Sequence, residues 1–294
     1  MTRGRFAPSP TGRLHFGSLV AALGSWLYAR RAGGRWIVRM EDIDREREVE
    51  GAADDILATL DAFGLASDEE IVYQSRRGDL YASALARLEL DGHAYRCWCS
   101  RSDLEPSAGI HPAGCIATPT AARAPAWRLR VREHRIAFDD AIQGPQFQDL
   151  ARDVGDFVIW RADGACAYQL AVVVDDAEQG IDQVVRGADL LDSTPRQILL
   201  QRLLGPEQPA YAHLPLALET DGRKLSKHAA ALAVDARAPL PALRAALHFL
   251  GQPTPDCSNV HMLLSSAEQA FDLHRIPRAA ATPLAFAAAR NATP

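Results

Sequence analysis

The sequence predicts an α/β protein built on a parallel sheet with crossover helices. Three observations carry that reading. Short apolar strand candidates alternate with amphipathic helix candidates from residue 3 to residue 90. A turn rich in proline and glycine joins the first strand directly to the first helix. After Gly92 the alternation gives way to a segment of different composition, and strand and helix candidates return before residue 204.

Arg3 to Ala7 reads as a short strand, and Pro8-Ser9-Pro10-Thr11-Gly12 must turn, because proline and glycine break both regular structures. Leu19, Leu23, Trp26 and Leu27 then fall on one helical face. Arg35 to Met40 is a strand with an apolar centre. Glu50 to Phe63 is a helix with Ile56, Leu57, Leu60 and Phe63 on one side, and Leu80 to Leu90 is helical again. Residues 93–125 hold clustered cysteines among many Pro, Gly, Ser and Ala residues. Trp127 to Val131, Arg135 to Phe138 and Phe157 to Trp160 are short strand candidates. Ala171 to Val174 and Gln183 to Arg186 are short β-branched runs. A helix is expected over Ala188 to Leu204, with Leu190, Leu191, Ile198, Leu199 and Leu203 as core residues. The chain beyond about 228 is Ala-rich and helical in propensity, and 279–294 is short of large apolar side chains. These shifts divide the chain into 1–92, 93–165, 166–228 and 229–294.

Composition narrows the function classes. At 294 residues, 48% hydrophobic and 23% charged, the chain can bury a full core, which excludes a disordered tail and a disulfide-stapled miniprotein. A net charge of −5 excludes a bulk polycation, so contact with nucleic acid requires a local basic surface. No run approaches the roughly 18 apolar residues of a membrane span, and the first residues lack the apolar core of a signal peptide. No membrane partner and a cytoplasmic location are the expectation. Five cysteines, three of them in one short window, suit a metal better than a disulfide framework in a reducing compartment.

Three constellations carry chemistry. The first is Arg5 to Gly12 followed by His15-Phe16-Gly17-Ser18, at a strand-to-helix junction. Ligands of open α/β sheets bind beyond the carboxyl ends of strands, and a helix N-terminus there presents free N–H groups to phosphate. Taken alone, His15 reads first as a surface histidine on a capped helix, and it is the order of the whole string that favours a site. The second is Lys224-Leu225-Ser226-Lys227-His228, after Asp221-Gly222. Two ammonium groups and a hydroxyl can follow charge developing on a transferring phosphoryl group, although a lone loop of this kind is usually just solvated. The third is Cys97-Trp98-Cys99, His111 and Cys115. Soft thiolates with an imidazole favour one tetrahedral, structural zinc ion. His93 or His134 could replace His111 as the fourth ligand, and buried free thiols beside an unrelated histidine are the alternative. Cys166 and Cys257 read as buried thiols, and Trp26, Trp36 and Trp160 as core. Arg128, Arg130, Arg132 and Arg135 form either a phosphate-contacting stretch or a solvated strand face.

The first two constellations together resemble the class I aminoacyl-tRNA synthetases. His15 to Ser18 looks like their HIGH motif and Lys224 to His228 like their KMSKS motif. The string Arg5 to Gly12 is similar to the glutamyl branch, as are Arg39 to Asp44, Ala167 to Asp176, Val185 to Leu191 and His213 to Leu216; the resemblance spans roughly residues 3–230. It implies a Rossmann-type catalytic domain split into 1–92 and 166–228, a zinc-containing insertion over 93–165, and a short helical region over 229–294. It implies that glutamate attacks the α-phosphate of ATP and that an RNA hydroxyl then accepts the glutamyl group. His15 and Lys227 would be catalytic at the α-phosphate. Gly17, Ser18, Lys224 and Ser226 would complete the ATP site, with Mg2+ accompanying ATP.

The amino-acid pocket can be argued from chemistry as well, but only because its five residues sit in the glutamyl-like segments; outside them Arg186 and Glu41 would read as ordinary surface charges. Glutamate needs a cation for its side chain and an anion for its amine. Arg5 and Arg186 are the candidate cations, Glu41 the candidate anion, and Ser9 and Tyr168 can add hydrogen bonds. Only residues 229–294 follow the KMSKS-like loop, too few for the anticodon-binding domains of a glutamyl-tRNA synthetase. That length resembles the truncated glutamyl-queuosine tRNA(Asp) synthetase family. The resemblance implies tRNA-independent activation of L-glutamate, transfer to queuosine in the anticodon loop of tRNA(Asp), and a monomer. A shortened glutamyl-tRNA synthetase charging a 3′ end and a noncatalytic RNA-binding or regulatory paralogue stay open as alternatives.

Overall fold

The computed structural model describes residues 1–132, 135–218 and 233–278, with the backbone of 281–283. The chain opens with β1 (Arg3–Phe6), α1 (Phe16–Arg31), β2 (Arg35–Met40), α2 (Ala52–Ala62), β3 (Val72–Tyr73) and α3 (Gly78–Leu90). Next come β4 (Ala94–Cys97), β5 (Ala126–Leu129), β6 (Arg135–Asp140), β7 (Gly144–Asp149), the one-turn α4 (Leu150–Asp153) and β8 (Phe157–Trp160). The chain continues with α5 (Tyr168–Glu178), β9 (Gln183–Gly187), α6 (Thr194–Leu204), β10 (Ala210–Leu214) and β11 (Leu216–Leu218). Helices α7 (Pro239–Phe249) and α8 (Val260–Ala270) and strand β12 (Ala281–Pro283) follow.

Among the described residues, a seven-stranded sheet runs β3-β2-β1-β9-β10-β6-β7. Every pair is parallel except β6–β7. Strand order reverses at β1, which opens a crevice beyond its carboxyl end, where doubly wound folds bind ligands. Two cores cover the two faces. Trp36, Val38 and Met40 of β2 join one core with α1, α2, α7 and α8; Ile37 joins the other with α3, α5 and α6. The period of two in a strand makes this division, and it also turns Arg39 toward the second core.

Helix α1 runs beneath the crevice and is buried around most of its circumference. Gly24 eases that packing: a Cβ there would meet Leu214 Cδ1 at 2.7 Å, so a larger residue would force the Leu214 side chain on β10 to shift. The Ala-rich C-terminal segment forms α7 and α8, which close the first core; Phe249 meets Phe16 edge-on at 6.1 Å. No helix among the described residues is long and apolar enough to cross a membrane.

The segment 93–165 is divided between two sheets. Strands β4, β5 and β8 form a separate antiparallel sheet, whereas β6 and β7 extend the main sheet beyond β10. Three local expectations are corrected. The run Ala171 to Val174 lies inside helix α5, because Leu170 to Val173 are all buried against the second core, and tertiary burial overrides β-branched propensity. The expected helix over 188–204 is two pieces: a 3-10 turn over Ala188–Ser193, then α6, with Pro195 in its first turn, where the missing N–H costs nothing. Ile198 and Leu199 are buried in the second core as expected, Leu191 and Leu203 pack against it half-buried, and Leu190 is half-buried. Trp160 is half-buried too, and lines a cavity of about 460 Å3 with Asp42, Tyr81 and Arg161. Trp26, Trp36, Cys166 and Cys257 are buried as expected.

Candidate active site

A cavity of about 400 Å3 opens at the carboxyl ends of β1, β9 and β10. Ser9, His15, Gly17 and Ser18 line it from the turn and the start of α1; Gly187, Leu190 and Leu216 line it from the other side. His15 is the N-cap of α1, and its Nδ1 accepts from the Ser18 N–H at 3.2 Å. Its Nε2 lies 3.0 Å from Ser18 Oγ. A Cβ on Gly17 would stand 3.2 Å from the His15 ring, so glycine leaves the imidazole room to fold over the helix end. A phosphate lying there meets an imidazole, a hydroxyl and the positive end of a 16-residue helix.

Lys224, Ser226 and Lys227 lie outside the described residues, as does His134. The flanks of the KMSKS-like segment are described: one lines this cavity and the other pairs with residues that line it. Leu216 and Ala217 of β11 line it, while Ala233 bridges antiparallel to His15 and the Val234 N–H donates to Leu14 O at 3.0 Å. The described residues on either side of 219–232 thus lie beside the HIGH-like motif.

Arg5, Glu41, Tyr168 and Arg186 converge next to this cavity. Burial raises the Tyr168 phenol above its ordinary pKa, while the Arg186, Glu41 and Arg5 charges all act on it. The Glu41 N–H donates to Pro8 O at 2.9 Å, tying the end of β2 to the turn. Burial also pushes the Glu41 carboxyl up, against the pull of Arg39 and Arg5. Arg186 is 6% exposed, and its Nη1 donates to the Tyr168 hydroxyl at 3.3 Å.

Beneath the pocket lies an ionic cluster that sequence reasoning missed. Arg5 Nε is 3.2 Å from Asp176, and Arg39 Nη1 donates to Asp176 at 2.8 Å. Asp175 is fully buried and accepts from Arg77 Nε at 2.6 Å, Gln74 Nε2 at 2.6 Å and Tyr81 Oη at 2.8 Å. With Glu41 the cluster holds three arginines and three carboxylates, so it is formally neutral. Burial works against the Asp176 charge, yet Arg5 and Arg39 hold its carboxyl below the ordinary range. Arg5 is therefore a clamped group, aimed by Asp176. The available signal was the pair Asp175-Asp176 following an apolar run: acids in a helix packed on a sheet must find cations. Thr194, Gln197, His213 and Asp140 were missed as well; each reaches Arg186 directly or through His213.

The cysteine cluster sits where β4 meets the following loop. Cys97, Cys99 and Cys115 place their sulfurs within 4.8 Å of one another. The Cys99 N–H donates to Cys97 Sγ and the Trp98 N–H to Cys115 Sγ, at 3.4 and 3.3 Å. Burial pushes Cys97 up to about 11; it opposes charge on Cys115 too, but there the Trp98 N–H and the neighbouring thiols prevail and the pKa falls. His111 is 2% exposed, with Nε2 3.2 Å from Cys97 Sγ. Its Nδ1 contacts Pro112 O at 2.6 Å. A carbonyl only accepts, so Nδ1 carries the proton and Nε2 turns its lone pair to the cluster. Gly155, at φ +68°, lets the His111 backbone approach so closely that any Cβ would strike it. The donor set, three thiols with an oriented imidazole alongside, fits a metal. Of the arginine stretch, Arg130 stacks on Tyr95 and Arg128 Nη1 donates to Asp156 O, while Arg132 and Arg135 are exposed.

The catalytic domain of tRNA synthetases class I (E and Q) matches residues 1–119 and 120–240. A glutamyl-Q tRNA(Asp) synthetase from Xanthomonas axonopodis pv. citri is 57% identical over 94% of this chain and 92% of its own. One from Chromobacterium violaceum is 52% identical over 94% and 95%. The chain belongs to the glutamyl-Q tRNA(Asp) synthetase family. Like the solved glutamate-tRNA synthetase from Elizabethkingia anophelis, this family member has the class I catalytic fold: TM-score 0.82, 25% identity, 98% of this chain and 69% of that one. A glutamate tRNA ligase from Elizabethkingia meningosepticum, solved with its amino acid, superposes with TM-score 0.81 at 24% identity, over 97% and 67%. Membership in a class I synthetase family makes this an ATP-dependent ligase.

Proposed function

We propose that this chain activates L-glutamate with ATP, without tRNA, and transfers it to queuosine in the anticodon loop of tRNA(Asp). The observation that carries the reading is the meeting, at the carboxyl ends of β1 and β9, of a phosphate-ready helix N-terminus with a pocket of two arginines, one carboxylate and one phenol. The names of the relatives, at 52–57% identity over nearly the whole chain, support it. Glutamate's α-ammonium pairs with Glu41, and its side-chain carboxylate is read by Arg186 and Arg5 with help from Tyr168 and Ser9. Arg5, held by Asp176, and Arg186, held on several sides, are preorganised, so little ordering entropy is lost on binding. Glutamine offers neither the charge nor two acceptor oxygens to these guanidiniums.

ATP occupies the 400 Å3 cavity with its α-phosphate at the start of α1. His15, Gly17 and Ser18 meet it from the helix side, and Lys224, Ser226 and Lys227 from the loop. The glutamate α-carboxylate attacks the α-phosphorus and pyrophosphate leaves. His15 and Lys227 stabilise the charge that develops there, and Mg2+ accompanies ATP. A hydroxyl of queuosine then attacks the activated carbonyl and AMP leaves. Cys97, Cys99, Cys115 and His111 would hold one structural zinc ion that pins the loop after β4. We place the protein in the cytoplasm, as a monomer. The test is glutamate-dependent ATP–pyrophosphate exchange without tRNA, with aspartate and glutamine as controls. Exchange with glutamate alone is expected; exchange only after adding tRNA overturns the tRNA-independent reading.

A further inference from the structure

We propose that Asp140 and His213 are positioning residues for Arg186, through which strand β6 of the 93–165 segment sets the selectivity of the glutamate pocket. The inference rests on the reading of Arg186 as a carboxylate-binding group.

The three residues form a buried chain. Asp140 ends β6, His213 lies in β10 and Arg186 in β9, on adjacent strands of the main sheet. His213 and the Asp140 side chain are fully buried. Asp140 Oδ2 is 2.6 Å from His213 Nδ1, and Arg186 Nε donates to His213 Nε2 at 3.1 Å.

The proton positions follow from chemistry alone. A guanidinium has no acceptor, so His213 Nε2 must present a lone pair to it. The imidazole proton is then on Nδ1, donated to Asp140. Burial favours the neutral ring, and the Arg186 charge adds to that against the pull of Asp140. Asp140 is fixed in turn: its Oδ1 accepts from the N–H groups of Ile142, Gln143 and His213, at 3.0, 2.8 and 3.1 Å. Burial would raise its pKa, but the His213 and Gln143 donors reverse that and keep the carboxylate charged.

The consequence is a guanidinium with one orientation. Nε–H goes to His213, and the two Nη2 protons to Thr194 Oγ1 and Gln197 Oε1, both at 2.8 Å. One Nη1 proton goes to Tyr168. Of five donors, that leaves one N–H on Nη1, beside Tyr168, with no partner among the described residues. Without the lone pair on Nε2 the guanidinium loses the acceptor that fixes its Nε edge, and that last donor loses its aim. In Asp140→Asn the amide NH2 can donate to Nδ1, which moves the imidazole proton to Nε2 and sets donor against donor.

The experiment is steady-state ATP–pyrophosphate exchange on the full chain, varying glutamate, glutamine and ATP separately. The variants are Asp140→Asn, His213→Phe, their double variant, and Arg186→Lys as the control on the underlying reading. Each single variant at Asp140 or His213 should raise the glutamate KM by about tenfold or more, the loss of one charge-assisted contact, and lower the preference for glutamate over glutamine. The ATP KM and kcat should stay within about twofold, and the double variant should add less than about threefold, since both act through one contact. The glutamate-to-glutamine ratio of kcat/KM does not depend on how much protein is folded, so partial misfolding leaves the result readable. An unchanged glutamate KM and ratio in both single variants, beside an impaired Arg186→Lys, overturn the positioning role and leave the reading of Arg186 intact. An unimpaired Arg186→Lys overturns that reading and the positioning role with it.

Discussion

Replacing Asp175 by asparagine tests the ionic cluster beneath the pocket. The carboxylate is fully buried and receives Arg77, Gln74 and Tyr81, with Arg39 Nε 3.7 Å away. Arg39 Nε has no other acceptor among the described residues. Neutralising Asp175 leaves three buried or half-buried arginines facing two carboxylates, and puts an amide donor among donors. Breaking a buried pair from one side costs about 3–5 kcal/mol. For a chain of this length each kcal/mol lowers the melting temperature by about 2–4 °C, so a fall of roughly 10 °C is expected. The assay is thermal melting by circular dichroism. Asp235→Asn is the control, because its pair with Arg237 is exposed and should leave the melting temperature unchanged. If Asp175→Asn melts within about 3 °C of the wild type, the cluster does not hold α5 to the sheet as argued.

His15→Ala and Lys227→Ala should each lower adenylate formation by about a hundredfold; His15→Ala should also melt a few degrees lower, because it removes the N-cap of α1, and normal activation by either variant refutes its place at the α-phosphate. Elemental analysis should find close to one zinc ion per chain, lost in Cys115→Ser, and a metal-free, fully folded wild type refutes the ligand set. Acid should destabilise the fold partly through His213. Its folded pKa is depressed, so the unfolded chain takes up a proton near pH 6.5 that the folded one refuses, and stability falls as pH drops through that value. His213→Phe should show a shallower decline between about pH 7 and 5.5 in urea titrations; parallel slopes refute the assignment.

Much of the site was legible because its parts are local. The turn Pro8 to Gly12, the N-cap His15 and Gly17 occupy one short stretch whose backbone admits little else, and α1 starts where that stretch requires. Cys97, Cys99 and Cys115 were legible by spacing, and their sulfurs do meet. Less legible were features set by partners distant in sequence. Val172 and Val173 favour strands by themselves, yet lie in α5 because two packed layers bury them. Trp160 packs against the second core as its composition suggests, but its other side forms a cavity wall.

The period of apolar residues determined the α/β class and the parallel arrangement, and the resemblance to the glutamyl branch supplied the candidate residues Arg5, Ser9, Glu41, Tyr168 and Arg186. These depend on backbone chemistry and on charge that each residue carries wherever it sits. Only the tertiary structure decided which partner each charge receives. Asp176 faces Arg5 across 171 residues of chain, and Asp140 meets His213 across 73. Such pairs leave no periodic trace, because burial, not spacing, forces each charge to find its counterpart, and burial exists only once the sheet has formed.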